Sequence, residues 1–158
     1  MVKSTDAIVE IRRVEINDIE ALSQLAFAAK AHWGYPASWM EQWRKYFIYT
    51  PEYFAENESW VAVCDGEPAG FCTLLEKDGN AWLENLWVKP EMMGKGIGRQ
   101  LFNYVAEISR SRGYPKMGLE ADPHAEEFYK HMGMVKVGEK PADMEGQTRI
   151  LPLMEIDL

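Results

Sequence analysis

The fold is decided by a glycine-rich stretch at residues 87–99, WVKPEMMGKGIGR. Glycine stands at every second position, at Gly94, Gly96 and Gly98. Glycine permits positive φ and lets a bulky anion approach the backbone closely. The first turn of a helix adds free N–H groups and a partial positive charge. The stretch therefore predicts a strand, a turn on which a diphosphate can bind and a helix, with Lys95 and Arg99 adding charge at the rim of the turn.

Two other phosphate-binding motifs do not match this stretch. The Walker pattern G-x-x-x-x-G-K-[ST] is absent from the sequence, and the dinucleotide pattern G-x-G-x-x-G would need glycine where Arg99 stands. Three alternating glycines alone also fit a plain helix cap or a flexible linker. The choice between an anion site and a cap therefore depends on the residues around the turn.

Hydrophobic periodicity predicts an α/β chain with the order β-α-α-β-β-β-α-β-α-β-β. The predicted strands are residues 8–14, 60–64, 69–76, 81–88, 116–120, 134–139 and 149–156. The predicted helices are residues 19–29, 38–47, 96–112 and 125–131, with a short turn from Pro51 to Phe54. Asp65-Gly66 and Asp78-Gly79 predict tight hairpin turns. We expect a single domain over residues 1–158, with a mixed, twisted central sheet of about six to seven strands flanked by about four helices.

Charge and composition restrict the class of partner. Lys plus Arg number 17 and Asp plus Glu number 25, so the formal net charge is −8. An acidic surface repels nucleic-acid phosphates and anionic lipids. No apolar run approaches the roughly 20 residues needed to cross a bilayer, and Met1–Glu10 lacks the pattern of a secretory signal. We therefore expect a cytoplasmic protein with a cationic partner and with no nucleic-acid or membrane partner.

The two cysteines, Cys64 and Cys72, are too few for a disulfide framework or a four-cysteine zinc site. We expect both thiols to be reduced and mostly buried. No cluster of His, Cys and Asp has the spacing of a metal-ligand set, so we predict no metal site.

A second motif lies at residues 121–134, ADPHAEEFYKHMGM. Together with the glycine turn it resembles the GNAT-type N-acetyltransferase superfamily, whose motifs are written [Q/R]-x-x-G-x-[G/A] and N-x-x-A-x-x-F-Y-x-K-x-G-F. The matching residues are Val88, Pro90, Gly96, Gly98, Leu101, Ala125, Phe128, Tyr129 and Gly133. The departures are Met93 for Gln or Arg, Asp122 for Asn and Met134 for Phe. Met93 is compatible with an anion held mainly by backbone N–H groups.

The resemblance implies acetyl-CoA as the acetyl donor and no metal. Its diphosphate would lie on the turn, and its pantetheine between the fourth strand and the next, against backbone groups of Leu86 and Val88. The cofactor-binding residues implied in this way are Leu86, Val88, Met93, Gly94, Lys95, Gly96, Ile97, Gly98, Arg99, His124 and Phe128. A lone histidine such as His124 also fits a surface or helix-capping position, and Asp122 fits a helix cap.

The resemblance further implies direct attack of an amine on the acetyl thioester, which needs a base, an acid for the leaving thiolate and stabilisation of the oxyanion. Tyr129 occupies the family's tyrosine position, where its hydroxyl would protonate the sulfur. Glu84, a carboxylate within an apolar strand, would act as the base or bind the amine. A packed core tyrosine and a solvated strand glutamate are the alternatives. Asn85 would face away from Glu84 because side chains alternate along a strand.

Nine of the 19 aromatic residues lie between Ala31 and Phe54. The helical spacing of Trp39, Trp43 and Phe47 predicts that these three belong mainly to the core. Trp33 and Tyr35 fall outside that spacing, and aromatic ring faces attract cations. We therefore predict that Trp33 and Tyr35 line an amine pocket together with Glu84. His32 lies in the same break between helices, where the resemblance implies the acceptor site, and a plain surface position is the favoured alternative.

The leading hypothesis is therefore an acetyl-CoA-dependent N-acetyltransferase acting on a primary amine, in particular a small cationic molecule. The alternatives are a non-catalytic acyl-CoA-binding regulatory protein on the same fold and an unrelated nucleotide- or phosphate-binding module. Release of CoA thiol in the presence of an amine distinguishes an enzyme from the regulatory protein. Thermal stabilisation by acetyl-CoA but not by ATP or NAD distinguishes both from the unrelated module. The apolar final strand, residues 150–156, permits a homodimer, although burial within the sheet explains it equally well.

Overall fold

The structure is a computed structural model that describes residues 6–158. The strands are β1 (Glu10–Arg13), β2 (Ser59–Cys64), β3 (Glu67–Lys77), β4 (Asn80–Val88), β5 (Lys116–Glu120), β6 (Val135–Met144) and β7 (Gln147–Asp157). The helices are α1 (Ile19–Ala31), α2 (Ala37–Trp43), α3 (Pro51–Glu56), α4 (Ile97–Ser111) and α5 (Glu126–His131). Short 3-10 turns lie at Ile16–Asp18, Arg44–Phe47, Pro90–Met92 and Pro123–Ala125. The seven strands form one mixed sheet in the order β1-β2-β3-β4-β5-β7-β6, which confirms the predicted fold class.

Three two-residue turns set the register of the hairpins. Both central residues of each turn have positive φ. The φ angles are 51° and 81° at Asp65-Gly66, 52° and 79° at Asp78-Gly79, and 47° and 79° at Glu145-Gly146. Positive φ at both central residues is the pattern of the type I′ turn, whose twist matches that of paired strands. The sequence predicted the first two turns, and the third joins β6 to β7.

The chain forms two compact units. The first holds residues 6–73 and 85–103, and the second holds residues 74–84 and 104–158. Helix α4, with 15 residues, is the longest helix of residues 6–158, and within that range no helix is both long and apolar enough to cross a membrane.

In the first unit, α1 packs against the sheet through one apolar face. Leu22, Leu25 and Ala26 follow the i, i+3, i+4 spacing that places side chains on one side of a helix. They form a buried cluster with Phe47, Val61 and Phe71. Trp43, Tyr49, Phe54 and Trp87 pack against this cluster and are only partly buried. The aromatic segment, residues 31–54, therefore packs on the core at one side and is partly exposed at the other.

In the second unit, β7 lies between two antiparallel partners. Met154 of β7 is paired with Leu119 of β5, and Leu151 of β7 with Lys140 of β6. Both edges of β7 are therefore hydrogen-bonded, and Met154 is only 1% exposed. Burial within the sheet accounts for Pro152 and Met154, whereas Ile150 is 44% exposed, and the homodimer stays a prediction.

The pairing of β4 with β5 is parallel and short. It covers Ala81 opposite Met117 and Trp82 opposite Gly118. Within the part of the chain that the structure describes, these two strands are paired at no other residue.

Several elements differ in extent from the predictions: β1 covers residues 10–13 only, and the predicted helix 38–47 is α2 followed by the 3-10 turn Arg44–Phe47. Two further differences have a clear local cause. Helix α3 replaces the predicted short turn, because the Thr50 hydroxyl accepts the Tyr53 N–H at 3.1 Å and Pro51 occupies the first helical position. Strand β6 extends to Met144 instead of ending at Glu139. It continues through Pro141, which an edge strand tolerates because its outer N–H groups need no partner in the sheet.

Both cysteines are free thiols, as predicted. Cys72 is fully buried, and burial raises the pKa of its thiol to about 12. Cys64 is partly exposed.

Candidate functional site

The glycine turn has the predicted strand-turn-helix arrangement. Strand β4 ends at Val88, and α4 begins at Ile97. Gly94 and Gly96 have φ of 79° and 78°, a region that glycine occupies without steric strain. The Gln100 N–H donates to the Gly96 carbonyl at 3.1 Å, so the helix ladder starts inside the turn.

Two close approaches hold the turn against β3. The Lys89 N–H donates to the Ala69 carbonyl at 2.8 Å. A Cβ added at Gly70 would lie 2.8 Å from the Trp87 carbonyl oxygen and 3.1 Å from Leu101 Cδ1. Any larger residue at position 70 would collide with the backbone of β4 at Trp87 and crowd the Leu101 side chain of α4, so the close approach of both elements that flank the turn depends on Gly70.

The other predicted residues of the turn have distinct environments. The Ile97 side chain is 1% exposed and belongs to the core, so that residue offers a ligand only its backbone. Lys95 and Arg99 are exposed at the rim of the turn. Met93, which replaces the family's Gln or Arg, has extended backbone angles of −64° and 148° and is partly exposed.

An acidic side chain from the start of the chain lies on this turn. The Asp6 carboxylate forms an ion pair with Arg99 and lies against Gly96, at a place where a Cβ on that glycine would collide with it. The Ala7 N–H donates to the Lys95 carbonyl at 2.8 Å, and Gln100 Nε2 donates to the Ala7 carbonyl at 3.0 Å. The sequence did not predict this contact, because no local pattern links residue 6 to residues 95–100.

Asn85 of β4 is the centre of a polar network that the sequence also did not predict. Its Oδ1 accepts the Tyr49 hydroxyl at 3.1 Å and the Trp87 indole N–H at 3.2 Å. Its Nδ2 donates to the Tyr53 hydroxyl at 2.8 Å and to Thr73 Oγ1 at 3.1 Å. Both amide donors and both acceptor positions of this buried side chain are used, so the network fixes the aromatic residues around it.

Two rings of the segment between Ala31 and Phe54 lie beside a cation of the chain itself. The Lys30 ammonium lies 4.8 Å from the ring centre of Tyr35 and 4.6 Å from that of Trp43. Tyr35 also stacks on Trp39 at 5.9 Å. These rings attract an ammonium group, which here belongs to the chain itself.

Trp33, the other predicted aromatic residue of the amine pocket, is partly exposed. Its ring packs edge-on against His32 at 5.3 Å between ring centres, and its backbone N–H donates to the Lys30 carbonyl at 3.4 Å. His32 is exposed, as the favoured alternative predicts.

Glu84 is the exposed residue in the middle of β4. Its Oε2 accepts the Trp82 indole N–H at 2.9 Å, two residues back on the same face of the strand. Asn85 is buried, so the two neighbours face opposite ways, as the alternation predicts. The carboxylate of Glu84 is thus solvated and held by one neutral donor.

Tyr129 is 8% exposed in α5, and its ring packs edge-on against Phe128 at 5.1 Å. The segment before this helix is capped by Asp122, as predicted, because Asp122 Oδ1 accepts the His124 N–H at 2.9 Å. The same oxygen lies 2.9 Å from His124 Nδ1, and Asp122 Oδ2 lies 3.5 Å from Arg149. His124 therefore has one ring nitrogen in contact with the cap, and Arg149 is a partner that the sequence did not predict.

A family model described as Acetyltransferase (GNAT) family matches residues 19–134. The chain belongs to the GNAT acetyltransferase family. The match includes the glycine turn, Glu84, Tyr129 and the aromatic segment.

Two relatives of this GNAT protein have named activities. Streptothricin acetyltransferase of Streptomyces lavendulae is 35% identical over 98 residues, which are 58% of this chain and 52% of the relative. Peptidyl-lysine N-acetyltransferase YiaC of Escherichia coli is 27% identical over 127 residues, which are 78% of this chain and 81% of the relative. The chain thus spans about half the length of the first relative and most of the second.

Solved structures share the fold of this GNAT protein. A GCN5-related N-acetyltransferase from Rhodopseudomonas palustris superposes with a TM-score of 0.82 at 20% identity and covers 100% of this chain and 99% of its own. The PaiA N-acetyltransferase from Thermoplasma acidophilum, in complex with coenzyme A, superposes with a TM-score of 0.72 at 23% identity. The superposition covers 96% of this chain and 99% of the PaiA chain. At these identities the likeness concerns the fold.

The residues of the turn fit the diphosphate of acetyl-CoA, the donor that the family implies. An anionic oxygen group, the Asp6 carboxylate, already lies against Gly96 and pairs with Arg99. Gly94 and Gly96 place no side chain over the turn, and the start of α4 contributes a partial positive charge. The chemistry of this turn is therefore that of an anion site.

Proposed function

We propose that the chain is an N-acetyltransferase that transfers the acetyl group of acetyl-CoA to a primary amine, in particular a small cationic amine. One observation carries the proposal. In a member of the GNAT family, the turn between β4 and α4 has left-handed glycines at positions 94 and 96 and holds an anionic group. Backbone N–H groups of Gly94–Gly98 and the charges of Lys95 and Arg99 bind the diphosphate.

Strand β4 and helix α5 supply the remaining donor contacts. Backbone groups of Leu86 and Val88 orient the pantetheine, and His124 and Phe128 bind the cofactor from the segment that leads into α5. Met93 contributes through its backbone, because its thioether is at most a weak acceptor. Acetyl-CoA supplies an acetyl group activated as a thioester.

The chemistry needs two proton transfers, and we assign one residue to each. Glu84 accepts the proton that the amine loses as the new C–N bond forms, and its exposed carboxylate in the middle of β4 supports this role. Tyr129 keeps its proton on Oη and gives it to the sulfur as the C–S bond breaks. The near-complete burial of Tyr129 and its ring contact with Phe128 support this role, because a packed ring holds its hydroxyl in one position.

The acceptor is bound by Trp33, Tyr35 and Glu84. The position of Lys30 over the rings of Tyr35 and Trp43 supports a cationic acceptor, since these ring faces attract an ammonium group. The net charge of −8 favours the same class of molecule.

The proposal is tested by incubating the protein and acetyl-CoA with a panel of amines and measuring free thiol. The panel contains polyamines, aminoglycosides, arylalkylamines, amino acids, a lysine peptide and peptides with free N-termini. Thiol release that depends on an amine supports the proposal, and the amine with the highest kcat/KM names the acceptor class. Preference for the lysine peptide would replace the small cation by a protein acceptor.

A binding measurement separates turnover from sequestration. Thermal stabilisation by acetyl-CoA and not by ATP or NAD, without thiol release for any amine, would identify a regulatory acyl-CoA-binding protein. For the acceptor site, Trp33→Ala is expected to raise the KM of the amine more than that of acetyl-CoA. Tyr46→Ala is the matched control, because Tyr46 is a 66% exposed aromatic of the same segment. Equal changes in both KM values for Trp33→Ala would refute the assignment.

A further inference from the structure

The segment formed by Asp6 and Ala7 is fixed to the glycine turn by three contacts. The Asp6 carboxylate pairs with Arg99, the Ala7 N–H donates to the Lys95 carbonyl at 2.8 Å, and Gln100 Nε2 donates to the Ala7 carbonyl at 3.0 Å. The Asp6 side chain is 27% exposed, so the turn covers most of it. Backbone contacts hold the segment, and the carboxylate is thereby directed at Gly96.

The place of this carboxylate is the one that a diphosphate needs. Gly96 has φ of 78° and no side chain, and the space beside its Cα is taken by the Asp6 carboxyl group. Arg99, the cation at the start of α4, already has Asp6 as its counter-ion. A diphosphate on the turn would meet a carboxylate in the same volume and a like charge in contact with it.

We propose that Asp6 is an internal competitor of the donor, so that residues 6 and 7 must leave the turn before the diphosphate binds. This inference rests on the proposed function, because it takes the turn as the diphosphate site. The open turn is the binding-competent state, and the apparent Kd for the donor rises as the fraction of open turn falls. Asp6 thereby sets how much acetyl-CoA is needed for half-saturation.

The competition is specific to the part of the donor that carries the phosphates. Acetyl-pantetheine has the same thioester and the same arm as acetyl-CoA but lacks the diphosphate. Asp6 therefore affects acetyl-CoA and CoA and leaves acetyl-pantetheine unaffected. A residue that only stabilised the fold would change the use of both donors alike.

Calorimetric titration of CoA into the wild type, Asp6→Asn and Glu10→Gln tests the competition. Asp6→Asn is expected to lower the Kd for CoA by about three- to tenfold, because a partly exposed ion pair and one like charge are removed. Glu10→Gln removes the same charge from the exposed start of β1 and is expected to change the Kd by less than about twofold. Equal Kd values for wild type and Asp6→Asn would overturn the inference and leave the proposed function intact.

Two further measurements keep the test decisive. The KM for acetyl-pantetheine is expected to be equal in wild type and Asp6→Asn, and a fall matching that for acetyl-CoA would overturn the inference. If Asp6→Asn does not fold, Gln100→Ala removes one anchor of the segment without changing the charge and should also lower the Kd for CoA. Absence of CoA binding in every folded variant, with folding checked by thermal melting, would refute the proposed function itself.

Discussion

The Tyr49 hydroxyl donates to Asn85 Oδ1 at 3.1 Å, which ties the segment after α2 to strand β4. Asn85→Ala would remove this acceptor and leave the Trp87 indole N–H without its partner at 3.2 Å. We expect a loss of about 2–4 kcal/mol in the free energy of unfolding, because buried polar groups are left unsatisfied. Urea denaturation measures the loss. Asn103→Ala, at an exposed position of α4, is the control and should cost less than about 1 kcal/mol.

Gly96 and Gly94 have the same backbone conformation but different space beside the Cα atom, so comparing them isolates the steric effect of Asp6. Both have φ near 79°, but a Cβ on Gly94 meets nothing within 4 Å, whereas one on Gly96 meets the Asp6 carboxylate. Each change to Ala should cost about 1–2 kcal/mol of stability through backbone strain alone. Gly96→Ala should cost more than Gly94→Ala, and the excess should vanish in an Asp6→Ala background. An excess that persists there would show that Asp6 is not its cause. Denaturant melts of the single and double variants measure it.

The Asp18 carboxylate makes the free energy of unfolding depend on pH in the acid range. Burial raises the pKa of Asp18, but the Arg12 guanidinium at 2.8 and 3.0 Å and the Glu15 N–H at 2.7 Å outweigh it and hold the pKa below its ordinary value of 3.8. A lowered folded-state pKa contributes stability that is complete above the unfolded value and is lost as pH falls through the folded value.

Asp18→Asn should therefore destabilise the protein by about 1–3 kcal/mol at pH 7, and the difference from wild type should shrink as pH falls below about 3.8. Urea titrations at several pH values measure it. Asp157→Asn, whose side chain is 89% exposed, is the control and should show a small difference at every pH. A gap for Asp18→Asn that stays constant down to pH 2 would contradict the linkage.

Tyr129→Phe removes the proposed acid without changing the shape of the ring. We expect kcat to fall by about 100-fold or more with a folded, CoA-binding protein, because a general acid contributes about 10²- to 10⁴-fold. Tyr104→Phe, in α4 of the same unit, makes the same change at a residue that is 37% exposed and should leave kcat within about twofold. Unchanged kcat for Tyr129→Phe would assign Tyr129 to the core alone.

Lys30 lies over two rings, and Lys45 lies over one exposed ring, that of Tyr46 at 5.2 Å. Lys30→Gln should lower the free energy of unfolding by about 1–2 kcal/mol, because its partly desolvated ammonium has two aromatic faces. Lys45→Gln should cost less than about 0.5 kcal/mol, because its single contact is exposed to water. Thermal or urea melts of the two variants distinguish them, and equal losses would contradict a ring-bound ammonium at Lys30.

The sequence was sufficient for elements whose signals are local. The amphipathic face of α4, the Asp-Gly turns and the alternation of Glu84 with Asn85 were each readable within a few residues, and the structure contains all three. The two misassigned elements also have local causes. The Thr50 cap was present but not counted as a helix start, and the strand predicted over residues 134–139 continues through Pro141 because it is an edge strand.

Side-chain partners across long separations were beyond the sequence. The hydrogen bond of Tyr49 to Asn85 joins residues 36 apart, and that of Gln100 to Ala7 joins residues 93 apart. Each partner alone has an ordinary pattern, a tyrosine in an aromatic segment or a glutamine in a helix. Only the folded backbone brings such groups together, so the anion on the turn and the lysine over the rings were found from the structure.

Pro141 limits how the outer strand of the sheet can be extended. A polypeptide adding to β6 would form a ladder of N–H to carbonyl bonds, and proline has no N–H to give to it. Lys136, Glu139 and Lys140 place charges along the same strand, and Val135 and Val137 are its exposed apolar side chains. Strand-by-strand growth into larger aggregates is thereby opposed at the terminal hairpin, in spite of its two solvent-exposed valines.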